Sequence, residues 1–219
     1  MRFKIEILLL LLPALVFPQN SLMEFFREIA GRRDFVVDGS LSFHVKDANG
    51  NFHDFEISGI LMINNLENIC LHIDKPNMLS GVSFSYIGKY RRVYSGYEGK
   101  YDMSAVSLKE NFVEDLFLAF VDIITSPFFR YSVGKANGEE IYTFFPGPRE
   151  FLKRVGIEPI TIEIRFVGGK VDEIAIYGND ESENVVLKLR RFKSGVNLDE
   201  YFSLDEDGYP KCLSYADLE

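Results

Sequence analysis

The chain has 219 residues, 33 of them acidic and 24 basic, for a net charge of −9. Such a field repels a polyphosphate, and the arginine doublets at 32–33, 91–92 and 190–191 are dispersed, so nucleic-acid binding is disfavoured. The 20 Phe and 11 Tyr, with no Trp, suit half-buried pleated surfaces or wide apolar cavities, which points to a β-rich protein.

Arg2 and Lys4 precede an apolar run over residues 5–17 that is broken only by Glu6 and Pro13. This is the charged n-region and short h-region of a secretory signal. Crossing a bilayer takes about 20 apolar residues, more than this run offers, so an uncleaved anchor is the weaker reading. The chain is expected to be exported to the periplasm or another extracytoplasmic space. Residues 1–19 would be the signal peptide, and the mature chain would start near Asn20. No cysteine follows the h-region, which speaks against a lipobox. Without Arg2, Lys4 and Glu6 there remain 32 acidic and 22 basic residues, a net charge of −10. The remaining length, about 200 residues, suits one domain with a full core. That domain is expected over 20–204, followed by an acidic tail, 205–219.

Leu22, Phe25, Phe26 and Ile29 recur at helical spacing with Glu24, Arg27 and Glu28 between them, and Gly31 is a stop, so a short amphipathic helix is predicted. Phe35, Val37, Leu41, Phe43 and Val45 then alternate with polar residues as a strand. A three-residue loop, Ala48-Asn49-Gly50, sets Phe43 against Phe55 and Leu41 against Ile57, whereas a two-residue turn would set Phe43 against Glu56. The longer loop is preferred, because it also aligns His44 with Asp54 and Ser42 with Glu56. Shorter strands are predicted over 69–73, 82–86 and 90–94.

Ser107 to Glu110 reads as a capping box, and a helix is predicted over 108–125, stopped by Ser126-Pro127. Apolar residues, Phe112, Leu116 and Phe120 among them, cover most of its circumference, so it must be buried nearly all round. The expected place is across the concave side of a curved sheet with one apolar face. Further on, a loop of Gly168-Gly169-Lys170 sets Ile164 against Ile174, Ile162 against Ile176 and Arg165 against Glu173. Val185, Leu187 and Leu189 mark a last strand. Sequential antiparallel pairing makes the sheet a meander, and the fold class is α+β, mainly β. Beyond Phe202 the acidic tail is expected to be loosely held.

Catalytic constellations are scarce. His44, His53 and His72 read as partly solvated strand histidines, without the companions that a metal site needs. Asp180, Glu181 and Glu183 lack the spacing of a calcium loop and read as a solvated turn. Tyr86, Tyr90, Tyr94, Tyr97 and Tyr101 read as packing and strand-edge residues rather than a stacking platform. No nucleophile elbow, phosphate loop or dinucleotide fingerprint is present, so neither a catalytic residue, a metal nor a cofactor is assigned. Cys70 and Cys212 could form a disulfide closing a loop of some 140 residues, worth on the order of 4 to 5 kcal/mol if unstrained, or could stay as two thiols. Spacing leaves both open. What remains is apolar volume, either an ordinary core or a cavity for an apolar ligand.

The order of elements resembles the periplasmic outer-membrane lipoprotein carrier family, the LolA/LolB-like lipoprotein-sorting proteins. Asp34-Phe35 to Leu41 with Gly59-Ile60-Leu61 resembles the family's opening hairpin, and the strand from Ile69 that ends in Pro76 resembles the next. Ile87-Gly88-Lys89-Tyr90 with Tyr94 is similar to a Gly-Lys turn followed by an aromatic. Tyr142-Thr143-Phe144-Phe145-Pro146 looks like the aromatic strand that ends in proline. The strands from Ile162 to Ile176, with Asp180, Asn184, Leu187, Leu189 and Tyr201-Phe202-Ser203-Leu204, resemble the closing segment. Order and spacing carry the likeness over 21–204.

The resemblance implies an unclosed, strongly curved antiparallel half-barrel, covered by helices, whose cavity shields acyl chains. Family members commonly carry an arginine and then an aromatic where this chain has Cys70 and Leu71, so gating through that arginine is not carried over. The expected function is an extracytoplasmic, non-enzymatic carrier for lipoprotein acyl chains or lipids, loaded and unloaded by envelope membrane proteins. The alternative is an envelope interaction or sensor module of the same fold that docks a partner protein. The expected lining is Leu41, Phe43, Phe55, Ile57, Leu61, Ile162, Ile164 and Ile176, with Phe112, Leu116 and Phe120 from the plugging helix.

Overall fold

The computed structural model describes residues 21–47, 49–105, 114–115, 129–147, 154, 159–178 and 183–214. Helix α1 (Ser21–Ala30) is followed by β1 (Phe35–Lys46), β2 (Phe52–Asn64), β3 (Asn68–Lys75), β4 (Ser83–Ile87), β5 (Arg92–Tyr97) and β6 (Lys100–Ala105). The later strands are β7 (Phe129–Ala136), β8 (Glu139–Pro146), β9 (Thr161–Val167), β10 (Lys170–Tyr177) and β11 (Asn184–Ser194). They form one antiparallel sheet in the order β6-β5-β4-β3-β2-β1-β11-β10-β9-β8-β7, an unclosed half-barrel with β6 and β7 outermost. The predicted helix over 108–125, with Phe112, Leu116 and Phe120, lies outside the described residues apart from Glu114 and Asp115, which are helical.

The first hairpin has the expected register. Phe43 faces Phe55, Leu41 faces Ile57, and His44 faces Asp54. Asp47 organises its loop by accepting the backbone N–H of both Asn49 and Asn51 at 2.9 Å, and these bonds with His53 lower its pKa to about 2. The second hairpin also makes the expected pairs, Ile164 with Ile174, Ile162 with Ile176 and Arg165 with Glu173. It reaches them by a different route. The turn has two residues, Gly168 and Gly169, both at positive φ, and a bulge between Val171 and Glu173 restores the register.

Three expectations are corrected. The sheet is not a simple meander, because β1 pairs with β11 as well as with β2, so the first strand lies at its centre. Both faces, not one, carry an apolar cluster. The chain beyond Phe202 is not loose as far as Ser214: Pro210, Cys212 and Leu213 are buried. Residues 196–214 form a strap that packs Leu198, Phe202, Cys212 and Leu213 against Val36, Met62, Cys70, Ile87 and Tyr94. Its acidic turn is self-supporting, since Asp205 Oδ1 accepts the N–H groups of Asp207 and Tyr209 at 3.0 and 2.8 Å.

The strap lies on one face and α1 on the other. Leu22, Phe25 and Ile29 point from one side of α1 into a cluster with Phe35, Tyr142, Phe144, Ile162, Ile164 and Phe166. Phe25 meets Phe166 edge-on at 6.0 Å and Phe192 at 5.8 Å. Gly39 and Gly59 face each other across the central hairpin, each beside a register shift, towards β11 and β3 respectively. A Cβ at Gly39 would lie 2.2 Å from the Lys188 carbonyl oxygen, and one at Gly59 would lie 1.8 Å from that of His72. The neighbouring strands close up on bare backbone there, and paired glycine kinks at bulges bend a sheet.

Candidate apolar site

Alternation along the paired strands fixes which side chains share the α1 face. Leu41 and Phe43 of β1 stand beside Ile57 and Phe55 of β2, and Leu61 stands beside Leu71 of β3, which pairs with Phe84 of β4. On the other flank, Leu41 and Phe43 pair with Leu187 and Val185 of β11, which pair with Ile174 and Ile176 of β10, and these lead to Ile164 and Ile162 of β9. The eight expected lining residues within the described chain therefore occupy one face of four strands.

Burial divides them. Ile162 and Ile164 are 1% and 0% exposed and belong to the core beneath α1, with Ile176 partly buried against it. Leu41, Phe43, Ile57 and Leu61 are only half-buried, while Phe55 is 45% exposed. The Phe43 and Phe55 rings lie 6.2 Å apart. Leu71 and the 42% exposed Phe84 continue this band and were absent from the expected lining. Alternation with buried Ser85 was the signal that could have placed Phe84 there. No described element packs on this band as α1 packs on β8–β10.

The opposite face differs over the two halves of the sheet. Over β9–β11 it carries the partly exposed Arg165 and the exposed Lys188 around a largely buried Glu173, at 3.4 and 3.9 Å. Over β2–β5 it lies beneath the strap. Asn64, buried at the end of β2, donates to Asp34 at 3.2 Å and to Asp199 of the strap at 3.0 Å, and accepts from Asn68 at 2.9 Å. Clefts of about 410 and 480 Å³ open beside the strap, lined by mixed polar and apolar groups, and neither lies on the apolar band.

The histidines carry no assembled chemistry. His44 bonds Asp54 and stacks on Phe52, while His53 bonds Asp47 at 3.1 Å, all at the exposed hairpin end. His72 is half-buried beneath the strap, where its Nδ1 is hydrogen-bonded to the Ser83 hydroxyl at 2.7 Å. Burial holds its pKa below the usual imidazole range, against the opposing influence of the Cys212 backbone and Asp74. The Cys70 and Cys212 thiols are free and fully buried. Burial, and then the hydrogen bond to Cys212, push the Cys70 pKa up, so it is held as a thiol rather than a nucleophilic thiolate. Among the described residues, no group of three or more His, Cys, Asp or Glu can hold a metal ion, and no helix is long and apolar enough to cross a membrane.

No protein-family model matches the sequence, and no curated protein does. Solved structures are similar in shape. An uncharacterized conserved protein from Thermus thermophilus matches 86% of this chain and 97% of its own, at 9% identity and a TM-score of 0.46. A LolA superfamily protein from Nitrosomonas europaea matches 78% of this chain and 90% of its own, at 11% identity and a TM-score of 0.36. A putative outer membrane lipoprotein-sorting protein domain from Vibrio parahaemolyticus matches 86% and 96%, at 10% identity and a TM-score of 0.33. Likeness at this level assigns neither ligand nor partner.

Proposed function

We propose that this protein is an extracytoplasmic carrier that shields the acyl chains of a lipidated protein, or of a lipid, on the apolar band of β1–β4, and that it catalyses no reaction. The observation that carries the proposal is the band itself. Leu41, Phe43, Phe55, Ile57, Leu61 and Phe84 form a contiguous apolar strip that neither core cluster consumes. A contiguous exposed apolar strip marks a binding surface, whereas single exposed apolar residues do not. Each acyl methylene leaving water contributes about 0.8 kcal/mol, so a chain laid along the strip is held without any polar contact to define it. Ile162, Ile164 and Ile176 then serve as the fixed floor beside the site. The acidic composition fits a ligand recognised by its hydrocarbon, and envelope membrane proteins would load and unload it.

Native mass spectrometry of the protein isolated from the cell envelope, followed by lipid extraction, tests this reading. The expected result is a bound acyl species that a fluorescent fatty acid displaces. A folded protein that neither carries nor takes up any acyl ligand would overturn the carrier reading and leave the strip to a partner protein.

A further inference from the structure

Cys70 and Cys212 are the chain's two cysteines, yet they meet across nearly two thirds of the sequence. Cys70 sits on β3 and Cys212 in the last turn of the strap, and both side chains are 0% exposed. Both converge on Ser85 of β4 within one buried cluster: Cys70 is the cross-strand partner of Ser85, Cys212 Sγ donates to Ser85 Oγ at 3.5 Å, and Ser85 itself donates to the Ile69 carbonyl at 3.1 Å. Cys212 N–H also donates to the Tyr201 carbonyl, at 2.6 Å, so the strap is folded on itself where it delivers the thiol. We infer that Cys70 and Cys212 form a disulfide that rivets the strap to the sheet, made before the strap docks and sealed by its docking. The inference rests on the extracytoplasmic reading above, because that space supplies the oxidant, a protein disulfide.

The order of events follows from access. Disulfide exchange needs a thiolate and an approach to sulfur, and the docked pair offers neither, since both sulfurs are buried and the Cys70 thiol is held protonated. With the strap undocked, one cysteine thiolate attacks the oxidant's disulfide, forming a mixed disulfide and releasing one oxidant thiolate. The second cysteine thiolate attacks the sulfur of the first and expels the other oxidant thiolate. The net change is one disulfide formed in this chain, one disulfide reduced to a dithiol in the oxidant, and no net change in protons. Docking then buries the new bond in the cluster that includes Leu198 and Leu213, where both cysteines are 0% exposed and beyond the reach of a reductant.

The test refolds the full chain from denaturant with and without a glutathione–glutathione disulfide buffer. Each product is then unfolded and alkylated without reductant, and its intact mass is measured. The expected result is no alkyl label after refolding in the buffer and two labels without it. Reduction of the folded, oxidised protein should run at least ~100-fold slower than in denaturant, because it waits for the strap to open. Two labels after refolding in the buffer, or equal reduction rates folded and unfolded, would overturn the inference. A Cys70→Ala/Cys212→Ala variant, which keeps the pocket apolar, should lose the redox dependence of strap proteolysis; strap cleavage that ignores redox state in the unsubstituted protein would also overturn it. Protein taken directly from the envelope separates the premise from the inference: a disulfide that forms on refolding but is missing there would sink the extracytoplasmic reading alone.

Discussion

Two quarters of the sheet are left without a described cover, and they are opposite in character. On the strap face over β9–β11, the partly exposed Arg165 and the exposed Lys188 pair with the largely buried Glu173. On the α1 face over β1–β4, the half-exposed surface is Leu41, Phe43, Phe55, Ile57, Leu61 and Phe84. The two covers, α1 and the strap, sit on opposite faces and over opposite ends of the strand order. A charged quarter is stable in water as it stands. An apolar quarter of similar position raises the free energy of the folded chain until something lies on it, and that asymmetry, more than any single residue, directs attention to a hydrophobic occupant.

The sharpest way to break the comparison is to place the same charge in both parts of the α1 face. Ile164→Asp buries a carboxylate in the closed core and should cost about 4 kcal/mol or more, enough to unfold the sheet in a thermal or urea melt. Phe55→Asp, at a 45% exposed site, should cost under about 1 kcal/mol and yet lose fatty-acid displacement. If both variants unfold equally, the open quarter is ordinary core.

Gly59→Ala tests the bend between the quarters. Its Cβ would meet the His72 carbonyl oxygen at 1.8 Å, and relieving that clash should cost about 3 kcal/mol in a urea melt. Gly134→Ala on β7, where a Cβ meets nothing within 4 Å, should be close to neutral.

Smaller effects sharpen the picture on the strap side. Asn64→Ala removes the group that joins Asp34, Asp199 and Asn68. About 2 kcal/mol should be lost, read as faster proteolysis of the strap than of the sheet. His72 should make strap retention pH-dependent. Its folded pKa lies below the ordinary 6.5, so below that pH the unfolded state binds the proton first and stability falls as pH drops. Asp74 opposes this shift, and Ser83, Cys70 and the Cys212 backbone are the polar neighbours that face the ring. Hydrogen exchange of the strap at pH 7 and 5.5, with His72→Gln as control, reads the effect. Smallest of all is Tyr94→Phe, since the fully buried Tyr94 hydroxyl has no hydrogen-bond partner among the described residues. Removing it should leave the melting temperature unchanged or raise it slightly.

Local pairing was legible in the sequence because a one-residue slip would turn every side chain over, so Phe43, Phe55, Ile162 and Ile176 had one sensible partner each. The turn at Gly168 was less so: a two-residue turn plus a bulge gives the same pairs as a three-residue loop. Pairing of β1 with β11 joins opposite ends of the chain, and no local period encodes it. Strands β6 and β7 were missed because both are almost wholly exposed and lack a burial alternation. The strap was missed for a related reason, since Leu198, Phe202, Pro210, Cys212 and Leu213 are irregularly spaced within an acidic stretch. At the candidate site, alternation was enough to name the face. It could not tell which part α1 would close, because that depends on where a separate helix lands.

The central place of β1 also bears on how the molecule is assembled. The first strand to be synthesised has one neighbour available within a few residues and must wait for the other until Asn184–Ser194 has been made. Until then its second side is a raw ladder of amide and carbonyl groups through what will become the middle of the sheet, a template for any passing strand. A chain released or cut short before β11 is thus the form most prone to aggregate, and a chaperone that holds the nascent protein would be needed longest at β1.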